Sequence, residues 1–304
     1  MTNRAKAYLA LLGNAAIWGL ALPLAKKGFT ETDPMTFLFY RYLFASIAGL
    51  PIFLFLNKKN LFKLKNLLEI GGLALFSNLL AHWLLYTGLD QTTALEASLL
   101  TTLSPIFIIL GGAFFLKEII TNQEKIGIGL AFLGSLIIVL EPLWFNSQKL
   151  SFTHSLGNFM VLSYCFSWTI AALWLKKVAQ KYHPFALFYL IFVINALGFF
   201  PLAFRENAQL LTQNYFNLRY ALAASLYMGT LGSLGAFYLY QYGQKFIEAS
   251  EAILFTYLSS LFAAPIAILW LGDKLTLPFA LGGMTVITGI ILAESRRQLN
   301  FSRK

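Results

Sequence analysis

Long apolar runs alternate with short polar connections along the whole chain. Ten runs approach or exceed the roughly 20 residues that a helix needs to cross a bilayer. They cover 7–25, 35–56, 67–89, 94–116, 126–143, 155–175, 184–204, 220–242, 249–271 and 275–293. Each run is continuously apolar rather than alternating, which excludes a strand barrel. The pattern predicts an all-α integral membrane protein with ten transmembrane helices. The longest polar connections are about 10–15 residues, too short to house a soluble domain. The first run opens on Arg4 and Lys6 like a signal peptide, but Pro23 spoils the nearby cleavage candidates. It is therefore read as an uncleaved helix.

Composition agrees with this reading. Of 304 residues, 58% are hydrophobic and 12% charged, where a soluble domain carries about 45–50% and about 25%. A disordered chain, a secreted disulfide scaffold and an ordinary soluble enzyme are excluded. The net charge of +10 would suggest nucleic acid in a soluble protein. Here the cations sort by loop. With the N-terminus placed inside, the inner segments carry 16 of the 23 Lys and Arg, among them Lys58, Lys59, Lys63, Lys65, Arg296 and Arg297. The outer segments carry Lys26, Lys27, Lys149, Arg205, Arg219 and Lys274. That asymmetry predicts both termini in the cytoplasm, a multi-pass protein of the cell inner membrane, and no nucleic-acid partner. The single cysteine, Cys165, lies in an apolar run and reads as a core residue.

The chain also repeats itself. Shifted by 150, Trp18 falls on Trp168, Lys26-Lys27 on Lys176-Lys177, Pro34 on Pro184 and Pro51 on Pro201. Shifted by 155, Gly88 falls on Gly243, Glu96-Ala97 on Glu251-Ala252, Glu118 on Asp273, Gly127 on Gly282 and Gly134 on Gly289. The expected halves are 1–148 and 149–304, five helices each. Five is odd, so the second half is expected upside down relative to the first. Inverted repeats typify secondary transporters, whose substrate site lies near the midplane between them.

Several of these residues also carry a family resemblance. Trp18-Gly19 stands in the first span, and Asp33-Pro34 precedes the intramembrane Arg41 in the second. Tyr86-Thr87 leads to Ala94, followed by Ser104-Pro105 and Leu116-Lys117-Glu118, the last repeated as Leu271-Gly272-Asp273. In this order and spacing the chain resembles the EamA-type members of the drug/metabolite transporter superfamily over nearly its whole length. It departs at Lys117, where the family usually has Gly, at Ile191, where Arg41 would repeat, and at Ser260, where Pro105 would. The resemblance implies a ten-helix inner-membrane metabolite exporter with no fixed substrate.

Helical spacing puts i, i+3, i+4 and i+7 on one face. Asn78, His82 and Tyr86 form a polar stripe with Trp83 at its edge. Asn14 shares a face with Trp18, and Tyr164 with Trp168. Thr101 and Thr102 cluster in the fourth span, Tyr257 in the ninth, and Ser233 in the eighth. Polar groups facing lipid lose their hydrogen bonds, so these faces are expected to look inward and bind substrate. Each also has a plainer reading, as backbone-bonded hydroxyl, interhelical glue or packing. Arg41 lies roughly 10 Å below the outer boundary and reads as a snorkelling or paired cation, or as a clamp for a substrate carboxylate, with Glu96 nearby as a possible partner. Glu96 and Glu251 open helices, where capping competes with a role in gating or coupling; Thr93-x-x-Glu96 has the form of a capping box.

No metal-ligand spacing, phosphate loop or complete Gly-x-Ser-x-Gly is present, so neither enzyme nor cofactor is expected. No second cation lies on the deep faces for a phosphorylated substrate. The expectation is a monomeric exporter of small amphipathic metabolites, best fitted by amino acids, working by alternating access in the lipid bilayer. The alternatives are a multidrug, organic-cation or nucleoside exporter of the same fold, or a channel or structural subunit.

Overall fold

The computed structural model describes residues 2–56, 61–101, 103–104, 106–108, 110–111, 122–145, 151–178, 181–206, 218–244, 246 and 249–301. The described residues form helices joined by short connections. The helices are α1 (Asn3–Gly28), α2 (Pro34–Leu54), α3 (Leu64–Gln91) and α4 (Ala94–Thr101). There follow α5 (Asn122–Phe145), α6 (Ser151–Val178), α7 (Pro184–Glu206), α8 (219–244), α9 (249–271) and α10 (Leu277–Phe301). Six helices among the described residues are long and apolar enough to cross a membrane: α1, α2, α3 and the greater parts of α6, α7 and α8. The shorter apolar stretches lie in α4, α5, α9 and α10. Residues 112–121 and the boundary expected at 148 fall outside the described residues.

Local chemistry sets several helix starts. The Asp33 carboxylate caps α2 by accepting the Thr36 N–H at 2.7 Å, and Pro34 occupies the first turn, where its missing N–H costs nothing. The expected capping box opens α4: Glu96 N–H donates to Thr93 Oγ at 3.1 Å, and Thr93 N–H to Glu96 Oε2 at 3.3 Å.

Glycines decide how closely the helices approach. A side chain at Gly134 of α5 would place its Cβ 2.6 Å from the Gly282 carbonyl of α10, and one at Gly282 would meet the Gly134 carbonyl at 2.9 Å. One at Gly289 would meet the Gly127 carbonyl at 2.5 Å. Gly127 thus faces Gly289 while Gly134 faces Gly282, so α5 and α10 run antiparallel. On α2 and α7, Phe53 stacks on Tyr189 and Tyr42 on Phe199, an antiparallel order too. The chain otherwise packs α3 against α6 and α1 against α8 and α9.

Both α3 and α8 contain a π-helical turn, at Leu75–Leu79 and Met228–Gly235. These are repeat-equivalent positions at the offset of 155. Such turns free backbone carbonyls from the helical ladder. Facing helices supply donors: Ser167 Oγ of α6 bonds Phe76 O at 2.9 Å, and Trp18 Nε1 of α1 bonds Gly232 O at 3.0 Å.

Candidate functional site

One polar and aromatic cluster is built by α2, α3 and α6, with Met228 of α8 closing it. Arg41 Nη1 donates to Tyr86 Oη at 2.5 Å, and Tyr86 Oη to Met228 Sδ at 3.5 Å. Tyr42 Oη donates to Asn78 Oδ1 at 2.9 Å and lies 2.8 Å from His82 Nδ1. The His82 ring touches those of Tyr42, Tyr86 and Tyr164, and Tyr164 stacks on Trp168. The guanidinium carbon of Arg41 sits 5.5 Å from the Tyr42 ring centre and 5.7 Å from that of Tyr86. Tyr42, His82 and Tyr86 are buried, and Arg41, Asn78, Tyr164 and Trp168 are half-buried. It places a charge, a histidine and four further rings where three helices meet.

Of the residues expected to bind substrate, Asn78, His82, Tyr86, Tyr164 and Trp168 come together here. Asn14 and Trp18 instead sit at the α1–α8 contact, where their donors satisfy Ala236 O at 2.8 Å and Gly232 O. Thr101 bonds Ser98 O and Ser233 bonds Met228 O, each within its own helix. Trp83 is 39% exposed, off the buried face that carries His82 and Tyr86. Thr102 and the side chains of Tyr257 and Glu251 lie outside the described residues.

The pairing of Arg41 with Glu96 does not form. Glu96 Oε2 meets His154 Nε2 at 2.5 Å and accepts from Thr92 Oγ at 2.7 Å. The reason is position: Glu96 belongs to the first turn of α4, beside the start of α6, whereas Arg41 turns inward among rings. Around Glu96 a layer ties one end of the bundle. Lys26 Nζ donates to Leu89 O at 2.8 Å and Asp90 O at 2.7 Å. Asp273, beyond the last turn of α9, accepts the Leu95 N–H at 3.0 Å. Burial raises the Asp273 carboxyl above the usual carboxylate range, opposed by backbone hydrogen bonds from Leu95 and Ala94 and by Lys26. A shallow groove on the flank, lined by Leu24, Lys27, Tyr220, Tyr227 and Trp270 among others, shares none of the cluster's residues.

Sequence reasoning passed over Tyr42 and His154. Tyr42 stands in an apolar run with no polar stripe, and adjacency to Arg41 was its one signal. His154 precedes its span, and its partner lies 58 residues away in sequence. Among the described residues no three His, Cys, Asp or Glu gather to hold a metal.

The profile of the EamA-like transporter family matches residues 5–140 and again 155–294. The chain belongs to this family. It is 28% identical to an uncharacterized transporter of Archaeoglobus fulgidus over 296 residues, covering 96% of this chain and 98% of that one. It is 29% identical to the uncharacterized transporter YdfC of Bacillus subtilis, covering 90% and 86%. A crystal structure at 17% identity superposes with a TM-score of 0.60, covering 97% of this chain and 99% of that one, which shows a shared fold. This EamA-family chain is a membrane transporter.

Proposed function

We propose that this EamA-family protein is a secondary transporter that exports small amphipathic metabolites, amino acids fitting best, by alternating access. Ten helices cross the inner membrane as two inverted halves, 1–148 and 149–304, with both termini cytoplasmic. The antiparallel contacts of α5 with α10 and of α2 with α7 support the inversion, as do the matched π turns and the double family match. If both members of a pair span the bilayer, antiparallel packing requires opposite orientations.

The observation that carries the reading is the cluster of Arg41, Tyr42, Asn78, His82, Tyr86, Tyr164 and Trp168. Rings and a few aimed polar groups are what a site for a small amphipathic molecule needs. In the inward orientation of the N-terminus, the layer of Lys26, Glu96, His154 and Asp273 lies at the outer face and holds it shut. Substrate would enter from the cytoplasmic side, part the rings, and leave once this outer layer opens. The reading is of a monomer that works without a cofactor; the chain's own helices supply every side chain of the cluster.

Counterflow in proteoliposomes tests this. Vesicles loaded with unlabelled amino acids are expected to show saturable uptake of labelled phenylalanine or tryptophan. Steady conductance without saturation would instead mean a channel.

A further inference from the structure

We infer that Arg41 is the anion anchor of this site and that the substrate carries one carboxylate; the inference rests on the transport reading for its meaning and deepens it.

The geometry leaves the Arg41 charge unanswered. Its Nη1 is bonded to Tyr86, a neutral hydroxyl, and its Nε is buried without a partner. The ring faces of Tyr42 and Tyr86 offset part of the cost of burial. They supply no counter-charge. Carboxylates elsewhere among the described residues have partners of their own. Glu96 holds His154, Glu69 holds Lys181 at 2.5 Å, and Asp33 caps α2. Glu31 accepts the N–H groups of Tyr220 and Ala221 at 2.8 and 2.9 Å, and Asp273 accepts that of Leu95. Among the described residues no carboxylate pairs with Arg41.

A buried cation with no counter-ion is costly, and an ionisable residue inside a membrane span marks a functional site. Guanidinium binds a carboxylate best through two parallel N–H bonds. Tyr86 occupies Nη1, which leaves the edge formed by Nε and Nη2 for that purpose.

One cation answers one negative charge. Lys26 is spent on two backbone carbonyls at the end of the bundle, so a phosphate, with about two charges at neutral pH, finds no second cation here. An organic cation would be repelled. The rings of Tyr42, His82, Tyr86, Tyr164 and Trp168 suit a flat or apolar body beside the carboxylate.

Binding to the full chain in detergent is measured for benzoate, 3-phenylpropionate, leucine and phenylalanine, each against its carboxamide, by ligand-induced shift of the melting temperature. The acids are expected to bind at least about tenfold more tightly than the amides, because an unmet charge remains when the amide binds. Arg41→Gln is expected to lose that preference, binding acids and amides alike, and Arg41→Lys, with the charge but not the fork, to fall between. Amides binding as well as acids, no binding of any acid, or unchanged acid binding in Arg41→Gln would each overturn the anchor. If Arg41→Gln does not fold, the acid–amide comparison on the unaltered chain and on Arg41→Lys decides. Counterflow with the same probes separates the two proposals. Acid binding without exchange removes transport and keeps the anchor. Exchange of amides or amines with no preference for acids removes the anchor and keeps transport.

Discussion

Gly134 shows how much one hydrogen atom in place of a methyl decides. Its Cα faces the Gly282 carbonyl and the Val286 N–H, both backbone atoms that cannot step aside. Gly134→Ala is therefore expected to destabilise by about 1–3 kcal/mol through overpacking. Gly129, on the same helix, has nothing within 4 Å of an added Cβ. Gly129→Ala is expected to stabilise by about 0.5–1 kcal/mol from helix propensity alone. Unfolding of the two variants in detergent compares them directly, and equal effects would contradict the close α5–α10 crossing. Trp18 makes a different case. Its indole serves a backbone carbonyl of α8, so Trp18→Phe is expected to cost about 1 kcal/mol of stability and to leave substrate affinity unchanged. A large loss of affinity at unchanged stability would return Trp18 to the binding site. Asp273 supplies a pH signature. Burial raises its carboxyl above the unfolded value, so the folded chain holds this proton more tightly. Its contribution falls as pH rises from the usual carboxylate range through the raised value. Asp273→Asn is expected to flatten that part of the dependence of melting temperature on pH.

At the scale of elements, the π turns of α3 and α8 organise the site. Each displaces its helix backbone where the facing helix approaches, and each is answered by a side-chain donor, Ser167 in one case and Trp18 in the other. Asn78 stands inside the α3 turn, and His82 and Tyr86 follow one and two turns later on the same face. The polar stripe was legible because the 3.6-residue period survives the sequence. The π turns were not, because nothing in Leu75–Leu79 distinguishes it from ordinary helix. The start of α4 is the second element of consequence. Glu96 caps its own helix and holds His154 of α6. Glu96→Gln removes the charge and keeps the shape. In that variant Met228→Cys is expected to react faster with a membrane-impermeant maleimide added outside, because the outer layer opens more often. Unchanged labelling would show that the Glu96–His154 contact does not hold that face closed.

At the scale of the whole molecule, the proposed mechanism moves two halves about the cluster. Glu96 of α4, in the first half, and His154 of α6, in the second, meet in the layer proposed to lie at the outer face. Cysteines at these two positions, joined by a short cleavable thiol cross-linker, are expected to abolish counterflow, and reductant to restore it. Persistence of exchange in the cross-linked protein would mean that this layer need not open.

The sequence by itself determined the helical class, the membrane setting and the family. These follow from apolar length, from charge counted by loop and from recurrent spacing, which are local or additive along the chain. It also determined the polar stripe of α3 and the capping box of α4, both set by neighbours within one turn. Only the tertiary structure decided that Arg41 meets Tyr86 and no carboxylate, that Glu96 meets His154, and that Asn14 and Trp18 turn to α8. Those outcomes depend on which helix faces lie together. That is fixed by packing between residues 45 to 222 apart in sequence, which no local pattern records.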